Sequence, residues 1–361
     1  MKIAVVGAGL IGSAAARHLA KAGHDVTLIG PAEPADWALH PGPFASHYDE
    51  GRITRMNDRR PYFSRVSAAS IRRYGEIETE SGIPFFTECG ALIAGGSDYM
   101  ASVEAARAGL GVVYDRLDHD ALKMRFPFLS IPEGYSGDFE PRNAGHISPR
   151  NLVAAQQEAA RRHGAVRIAD EVVNVEAHRV ATASTTLDTD EVLVAAGGWT
   201  DALLGRKVLS VYARTVAFHE ICPAEADRLS TMPSLVMESP DDIYILPPIR
   251  YPDGKLWLKL GGDPEDVELS DTPAIANWYR SGGDARIATY LTERICRIIP
   301  GLAFESRHMK PCVTTWSRDR LPEIQRLAPG LCVATAGNGS GAKCSDELGR
   351  MAAEIVAEQT G

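Results

Sequence analysis

Ile3, Ala4, Val5 and Val6 form an unbroken apolar run near the start of the chain, the pattern of a buried strand. The period then changes. Residues 13–20 are mostly small and apolar and read as a helix, and Val26, Leu28 and Ile29 mark a second strand after a polar turn at 21–24. Between the first strand and the helix lie Gly7, Gly9 and Gly12, spaced G-x-G-x-x-G. In a strand–turn–helix–strand setting this spacing predicts dinucleotide binding. Gly7 makes the tight turn, Gly9 lets backbone approach a pyrophosphate, and Gly12 lets helix and strand pack closely. The first-turn amides of Leu10 and Ile11, with the helix dipole, then face the phosphate charge. The motif leaves NAD and FAD open. The usual ribose-binding acid would fall at Gly30, which has no side chain to do that work. Glu33 is the next acid able to reach back, with a solvated loop acid as the competing reading.

Further along, helical spacing predicts helices over 63–79, 97–108 and 114–126, the last stopped by Pro127. Pro149 opens another over 149–160. Strands are expected at 90–94, 166–168, 171–175 and 191–196. The last of these runs into a second glycine turn, so Gly197 and Trp199, together with Val173, are expected to face the cofactor. From 211 to 260 the pattern shifts to short apolar and aromatic runs at 211–221, 242–246 and 256–260, separated by Pro and Gly, which suggests an antiparallel sheet. Helices resume over 273–299, a strand follows at 331–337, and a helix over 345–358 closes the chain. The predicted class is α/β (α+β overall). A Rossmann-like nucleotide domain, from 1–85, 146–209 and 316–361, interleaves with an antiparallel-sheet substrate domain from 86–145 and 210–315.

At 361 residues the chain is long enough for about two domains. Its formal net charge of −9 argues against nucleic acid as a partner. No run of about 18 apolar residues is present, so no membrane span is expected. The apolar N-terminus carries the glycine fingerprint, which cleavage of a leader would destroy, so a cytoplasmic protein is expected. The six cysteines form no C-x-x-C pair, which fits reduced thiols and argues against a zinc site. A monomer or small homo-oligomer is expected.

Four separated segments carry a resemblance. They are the glycine fingerprint; Ser46-His47 followed by Arg52 and Arg55; Lys255 to Gly262 with Lys259 at its centre; and Lys310-Pro311-Cys312 paired with Gly339-Ser340-Gly341-Ala342-Lys343. In order and spacing the chain resembles the monomeric sarcosine oxidase and N-methyltryptophan oxidase group of FAD-dependent amine oxidoreductases. The resemblance implies FAD held by Ser46, His47, Arg52, Gly339, Gly341 and Lys343 besides the fingerprint, and joined through a thioether at Cys312. It implies that Lys259 activates oxygen, that Arg52 places positive charge by the flavin, and that Arg55 and Lys343 grip a substrate carboxylate. Lys343 is expected in a loop before the last helix, and Lys259 on a strand that would turn it outward by simple alternation.

Tyr244 keeps that group's pocket tyrosine, whereas Tyr48 and Asp263 stand at or near positions of its histidines and Thr314 replaces a tyrosine. These departures change the size and charge of the pocket. The implied reaction takes a hydride equivalent from a carboxylate-bearing secondary or N-alkylated amine to flavin N5. Water hydrolyses the resulting imine, and oxygen leaves as hydrogen peroxide. The alternatives are a flavin dehydrogenase using a carrier protein and, further off, an NAD-dependent reductase or a noncatalytic flavoprotein.

Overall fold

The computed structural model describes residues 1–238 and 243–358. Its nucleotide-type sheet runs in the order Glu323–Ala328, Leu331–Thr335, Glu191–Val194, Lys2–Val6, Asp25–Ile29, Val166–Ile168. All neighbours are parallel except the first pair. Lys2–Val6 lies between two parallel partners and is covered on both faces, which is why its sequence is continuously apolar rather than alternating. The chain leaves this strand to one side through Asp25–Ile29 and returns on the other at Glu191–Val194. A crevice therefore opens where the strand order reverses, at the carboxyl ends of the strands.

The second large sheet is mixed, mostly antiparallel. Its longest ladder pairs Ser210–Ile221 with Ser306–Trp316 over eleven positions, and Leu256–Gly261 lies on the other side of Ser210–Ile221. Pro311, which has no N–H to donate, is tolerated because Ser306–Trp316 is an edge strand. Leu258 and Leu260 face a core shared with Leu291 and Ile295 of the helix Ala285–Ile298. A small sheet, Arg52–Thr54 with Gly145–Ile147 and Phe86–Glu88, lies between the two large ones in sequence and holds Arg52 in register with Ile147.

Several expected elements change. The helix over 63–79 is two, Pro61–Ile71 and Tyr74–Ser81, because the backbone of Arg73 leaves the helical region while its guanidinium reaches Asp346 and Glu347 at 2.5 Å each. The helix over 114–126 is a strand, Asp115–Leu117, paired with Ser136–Glu140, followed by a helix, His119–Arg125. The boundary is set by Asp118, whose carboxylate accepts from Ala121 N at 2.8 Å. Residues 273–299 divide into Thr272–Ser281 and Ala285–Ile298 at Gly282 and Gly283, both with positive φ. The strand expected at 242–246 spans Ile243–Arg250, with a bulge between Leu246 and Ile249; residue 242 lies outside the described residues. The strands Arg179–Thr182 and Thr186–Asp188 had no apolar pattern to mark them. The last helix begins at Gly341, four residues earlier than expected, so Lys343 belongs to its first turn and not to a loop. Among the described residues, no helix is long and apolar enough to cross a membrane.

Candidate active site

A cavity of about 750 Å³ follows the crevice. Gly7, Gly9, Leu10 and Ile11 form one wall, Ser46, His47 and Tyr48 another, and Val173, Gly197, Trp199 and Gly341 complete the lining. The three fingerprint glycines have separate steric duties. A Cβ on Gly7, whose φ is +112°, would meet Ala195 O at 2.3 Å, and one on Gly12 would meet Gly7 O at 1.9 Å. Gly9 faces open space, with only His47 Nδ1 as near as 3.9 Å. The helix Leu10–Lys21 starts at Gly9 with no side-chain cap and no acid in its first turn. Its amides and dipole are thus left for an anion, and the site fits the pyrophosphate of a dinucleotide. His47, deep in this wall, has its pKa pulled down to about 3 by burial, helped by the charges of Arg150, Arg167 and Arg52, so it stays neutral.

At its inner end the cavity shares Ser46, Tyr48 and Tyr279 with a small opening of about 20 Å³ that also carries Asp49, Arg52, Lys310 and Cys312. Arg52 Nη2 lies 3.6 Å from Cys312 Sγ. Asp49 is the hub here. It accepts short hydrogen bonds from Lys259 and Arg52, and a third, at 3.0 Å, from the Tyr251 hydroxyl. Lys259 Nζ also donates to Gly51 O at 2.6 Å. Gly51 itself packs against the sheet, where a Cβ would meet Leu246 Cδ1 at 2.7 Å.

Lys259 is fully buried, so the outward orientation that alternation suggests does not occur. Leu258 and Leu260 face the helix-covered core, and the opposite face of the same strand is covered by the segment carrying Asp49 and Gly51. Neither face meets solvent. The cluster holds two cations and one anion in low dielectric. Burial raises the Asp49 carboxyl, but Lys259 and Arg52 outweigh it and hold the group well below the usual carboxylate range. Burial, reinforced by the Arg52 guanidinium and opposed by Asp49, pulls the Lys259 ammonium down to about 8.

Arg55 and Lys343, distant in sequence, come together around a third residue. Lys343 Nζ donates to Asp58 Oδ2 at 2.7 Å, and Arg55 Nη2 lies 3.8 Å from the same oxygen. Neither cation lines the large cavity, although Gly341, two residues before Lys343, does. Gly339 supplies the positive φ of +75° at the turn into this helix. Tyr244 packs across Gly261, where a Cβ would come within 2.4 Å of its ring, and burial raises its hydroxyl pKa. Asp263 accepts from Thr215 N at 2.9 Å, and burial pushes its carboxyl up to about 6. Thr314 accepts from Trp316 Nε1 at 2.9 Å. Glu33 does not line the cavity: its carboxylate pairs with Arg150 at 2.6 and 2.7 Å.

Asp49, Asp58 and Tyr251 are the residues that sequence reasoning passed over. Asp49 sits inside the Ser46–Arg55 segment, and nothing local marks it as buried. Its burial and two of its side-chain donors depend on the strand Leu256–Gly261 and on Tyr251, about 200 residues away.

A family model described as FAD dependent oxidoreductase matches residues 2–355 of the chain. Monomeric sarcosine oxidase of Bacillus sp. (strain B-0618) is 26% identical, over 98% of this chain and 91% of that protein. N-methyl-L-tryptophan oxidase of Yersinia pestis (strain Pestoides F) is 24% identical, over 97% and 93%. Among solved structures, L-proline dehydrogenase from P. horikoshii superposes with a TM-score of 0.77 at 19% identity, covering 99% of this chain and 93% of that one. NikD, an unusual amino acid oxidase, gives 0.76 at 21%, covering 99% and 94%. These structural likenesses establish the fold.

The Asp49 cluster has a measurable consequence for stability. Asp49→Asn keeps the shape but leaves two buried cations without their counter-charge, and should cost about 3–5 kcal/mol in urea unfolding at neutral pH. Adding Lys259→Met to that variant should restore part of the loss, because one uncompensated cation is gone. Since the folded carboxyl is held low, this stabilisation is present above the unfolded carboxylate pKa of about 3.9. It fades as pH falls further, so the gap between wild type and Asp49→Asn should close in acid.

Proposed function

The chain belongs to the FAD dependent oxidoreductase family, and we propose that it oxidises a carboxylate-bearing secondary or N-alkylated amine with oxygen as the acceptor. The observation that carries this reading is Arg52 and Cys312 at the small opening next to the dinucleotide cavity, with the buried Lys259 held to Arg52 through Asp49. When bound, FAD would supply the redox chemistry, the acceptance of a hydride equivalent from the carbon next to the amine nitrogen and the return of two electrons to oxygen, which would give an imine and hydrogen peroxide.

The protein's own groups do the rest. The fingerprint amides and Gly9 hold the pyrophosphate, and the neutral His47 packs beside them. Lys259 carries a proton on Nζ at neutral pH, and Asp49 and Gly51 O fix its direction. A fixed, desolvated cation stabilises negative charge that develops only as oxygen is reduced, and needs no reorganisation to do so. Arg55 and Lys343 hold the substrate carboxylate, the guanidinium offering two parallel donors. The surrounding positive charge disfavours the ammonium form of the bound amine, so the neutral amine needed for oxidation is available without a dedicated base. Burial by Tyr244, Tyr48 and Tyr279 keeps water from the inner end.

We expect Cys312 to carry FAD through a thioether to the 8α carbon. Yellow colour should then remain with the pellet after acid precipitation of wild type and move to the supernatant for Cys312→Ala. Complete release from wild type would remove the covalent assignment.

Lys259→Met should slow reoxidation by roughly 10²- to 10³-fold in stopped flow, with a smaller effect on anaerobic reduction. In wild type, the lysine is charged below its pKa, so reoxidation should fall as pH rises through about 8, and this limb should vanish in Lys259→Met. Unchanged reoxidation in the variant would favour a dehydrogenase using a carrier protein.

Substrate class is read from anaerobic mixing with N-alkyl and cyclic amino acids and with their methyl esters. The free acids should bleach the flavin absorbance, and the esters should not. Arg55→Ala or Lys343→Ala should weaken simple carboxylate ligands by about 2–5 kcal/mol while FAD stays bound. Equal bleaching by acids and esters would point to an uncharged amine instead.

A further inference from the structure

Asp58 stands where a ligand carboxylate would stand between the two cations assigned to hold one. One of its oxygens takes Lys343 Nζ at 2.7 Å and faces Arg55 Nη2 at 3.8 Å. Its other oxygen faces Arg60 Nε at 3.4 Å. Asp58 and Lys343 are buried, at 3% and 4% exposure, so this is an internal ion pair and not a surface contact.

The neighbouring polar groups are incompletely matched. Among the described residues, Arg55 Nε and both polar atoms of the Asn57 amide are buried with no hydrogen-bond partner. Leaving buried donors and acceptors unmade is destabilising. Three such atoms beside one ion pair indicate an arrangement that another set of partners would improve. The segment itself is irregular backbone between Arg52–Thr54 and the helix Pro61–Ile71. It is held at discrete points: Met56 N and Asn57 N donate to Glu140, Asp58 N to Ser64 Oγ, and Arg60 to Asn338 O and Ser340 Oγ. The Arg60 contacts run to the turn that leads into Lys343.

We propose that Asp58 is a specificity-determining residue that occupies the substrate-carboxylate position of the resting protein, so that a ligand carboxylate binds by taking Lys343 and Arg55 from it. This inference rests on the carboxylate reading above. Displaced from Oδ2, the Asp58 carboxylate keeps Arg60 as its counter-charge through Oδ1. The exchange swaps one anion for another, and no buried cation is stranded. A neutral ligand has nothing to offer Lys343 in return, so the resting pair excludes it. Burial raises the Asp58 carboxyl, but Lys343, Arg55 and Arg60 hold it well below the usual range, so it is charged at neutral pH.

The occupied state lowers apparent affinity by the fraction of molecules in which Asp58 is displaced. Removing the competitor should therefore tighten carboxylate binding. Acetate and acetamide are titrated into the FAD-loaded protein by calorimetry, with wild type and Asp58→Asn compared. The inference expects acetate to bind Asp58→Asn about 10-fold or more tightly than wild type, with acetamide unaffected. Equal or weaker acetate binding to Asp58→Asn, while wild type binds acetate, overturns the role of Asp58 and leaves the carboxylate reading standing. Absence of acetate binding to both proteins takes down the carboxylate reading and this inference with it. A measurement on wild type avoids any folding defect of the variant. Saturating acetate should change amide hydrogen exchange over residues 56–60 and acetamide should not; exchange unchanged by bound acetate overturns the displacement.

Discussion

Lys259 and Arg52 are both removed from water within reach of one carboxylate, and the architecture around the site follows from keeping that carboxylate in place. Two buried cations alone would repel each other and lack solvation; Asp49 faces both and takes a further donor from Tyr251. The partners come from different parts of the fold. Asp49 and Arg52 lie on the segment that borders the dinucleotide cavity, while Lys259 and Tyr251 belong to the antiparallel sheet and its turn. The ion cluster is therefore also the joint that orients the cofactor cavity against the sheet behind it.

The local field at the site opposes that of the whole molecule. The chain carries a net charge of −9, yet Arg52 and Lys310 line the inner opening, Lys259 is buried against Asp49 beside Arg52, and Arg55 and Lys343 meet around Asp58. Asp49 pairs with Arg52 and Lys259, Asp58 pairs with Lys343, and the buried Glu140 carboxylate also acts on Arg55 and Lys343. An anion is favoured there by groups a few ångströms away in low dielectric, whereas the surface charges act through water and are screened over about 10 Å. The two internal aspartates differ in what they can release. Asp49 is shared by three side-chain donors in a closed cluster, and its loss strands two cations. Asp58 has a second cation, Arg60, behind it, so its exchange for a ligand carboxylate leaves every charge with a partner.

What was legible in the sequence is what depends on neighbours in the chain. The parallel strand Lys2–Val6, the turn at Gly7 and Gly9 and the close packing at Gly12 are local demands, so the dinucleotide site could be read from twelve residues. The pairing of Lys310-Pro311-Cys312 with Arg52, and of Arg55 with Lys343, could be expected only through the resemblance of the segments, because their spacing in the chain carries no geometry.

The remainder was decided by tertiary contacts. Period-two alternation sends Lys259 outward, but both faces of its strand are covered, so the lysine is buried and its proton affinity falls. Continuous helical spacing over 63–79 gave way at Arg73 because Asp346 and Glu347, some 270 residues on, draw its side chain. Nothing within their segment reveals that the sheet and the last helix bring buried cations to Asp49 and Asp58. By itself the sequence determined which residues are available for charge and for close backbone approach. Which charges are desolvated, and which carboxylate faces which cation, was decided by the fold, because burial and pairing are properties of surroundings that the chain assembles only when it closes on itself.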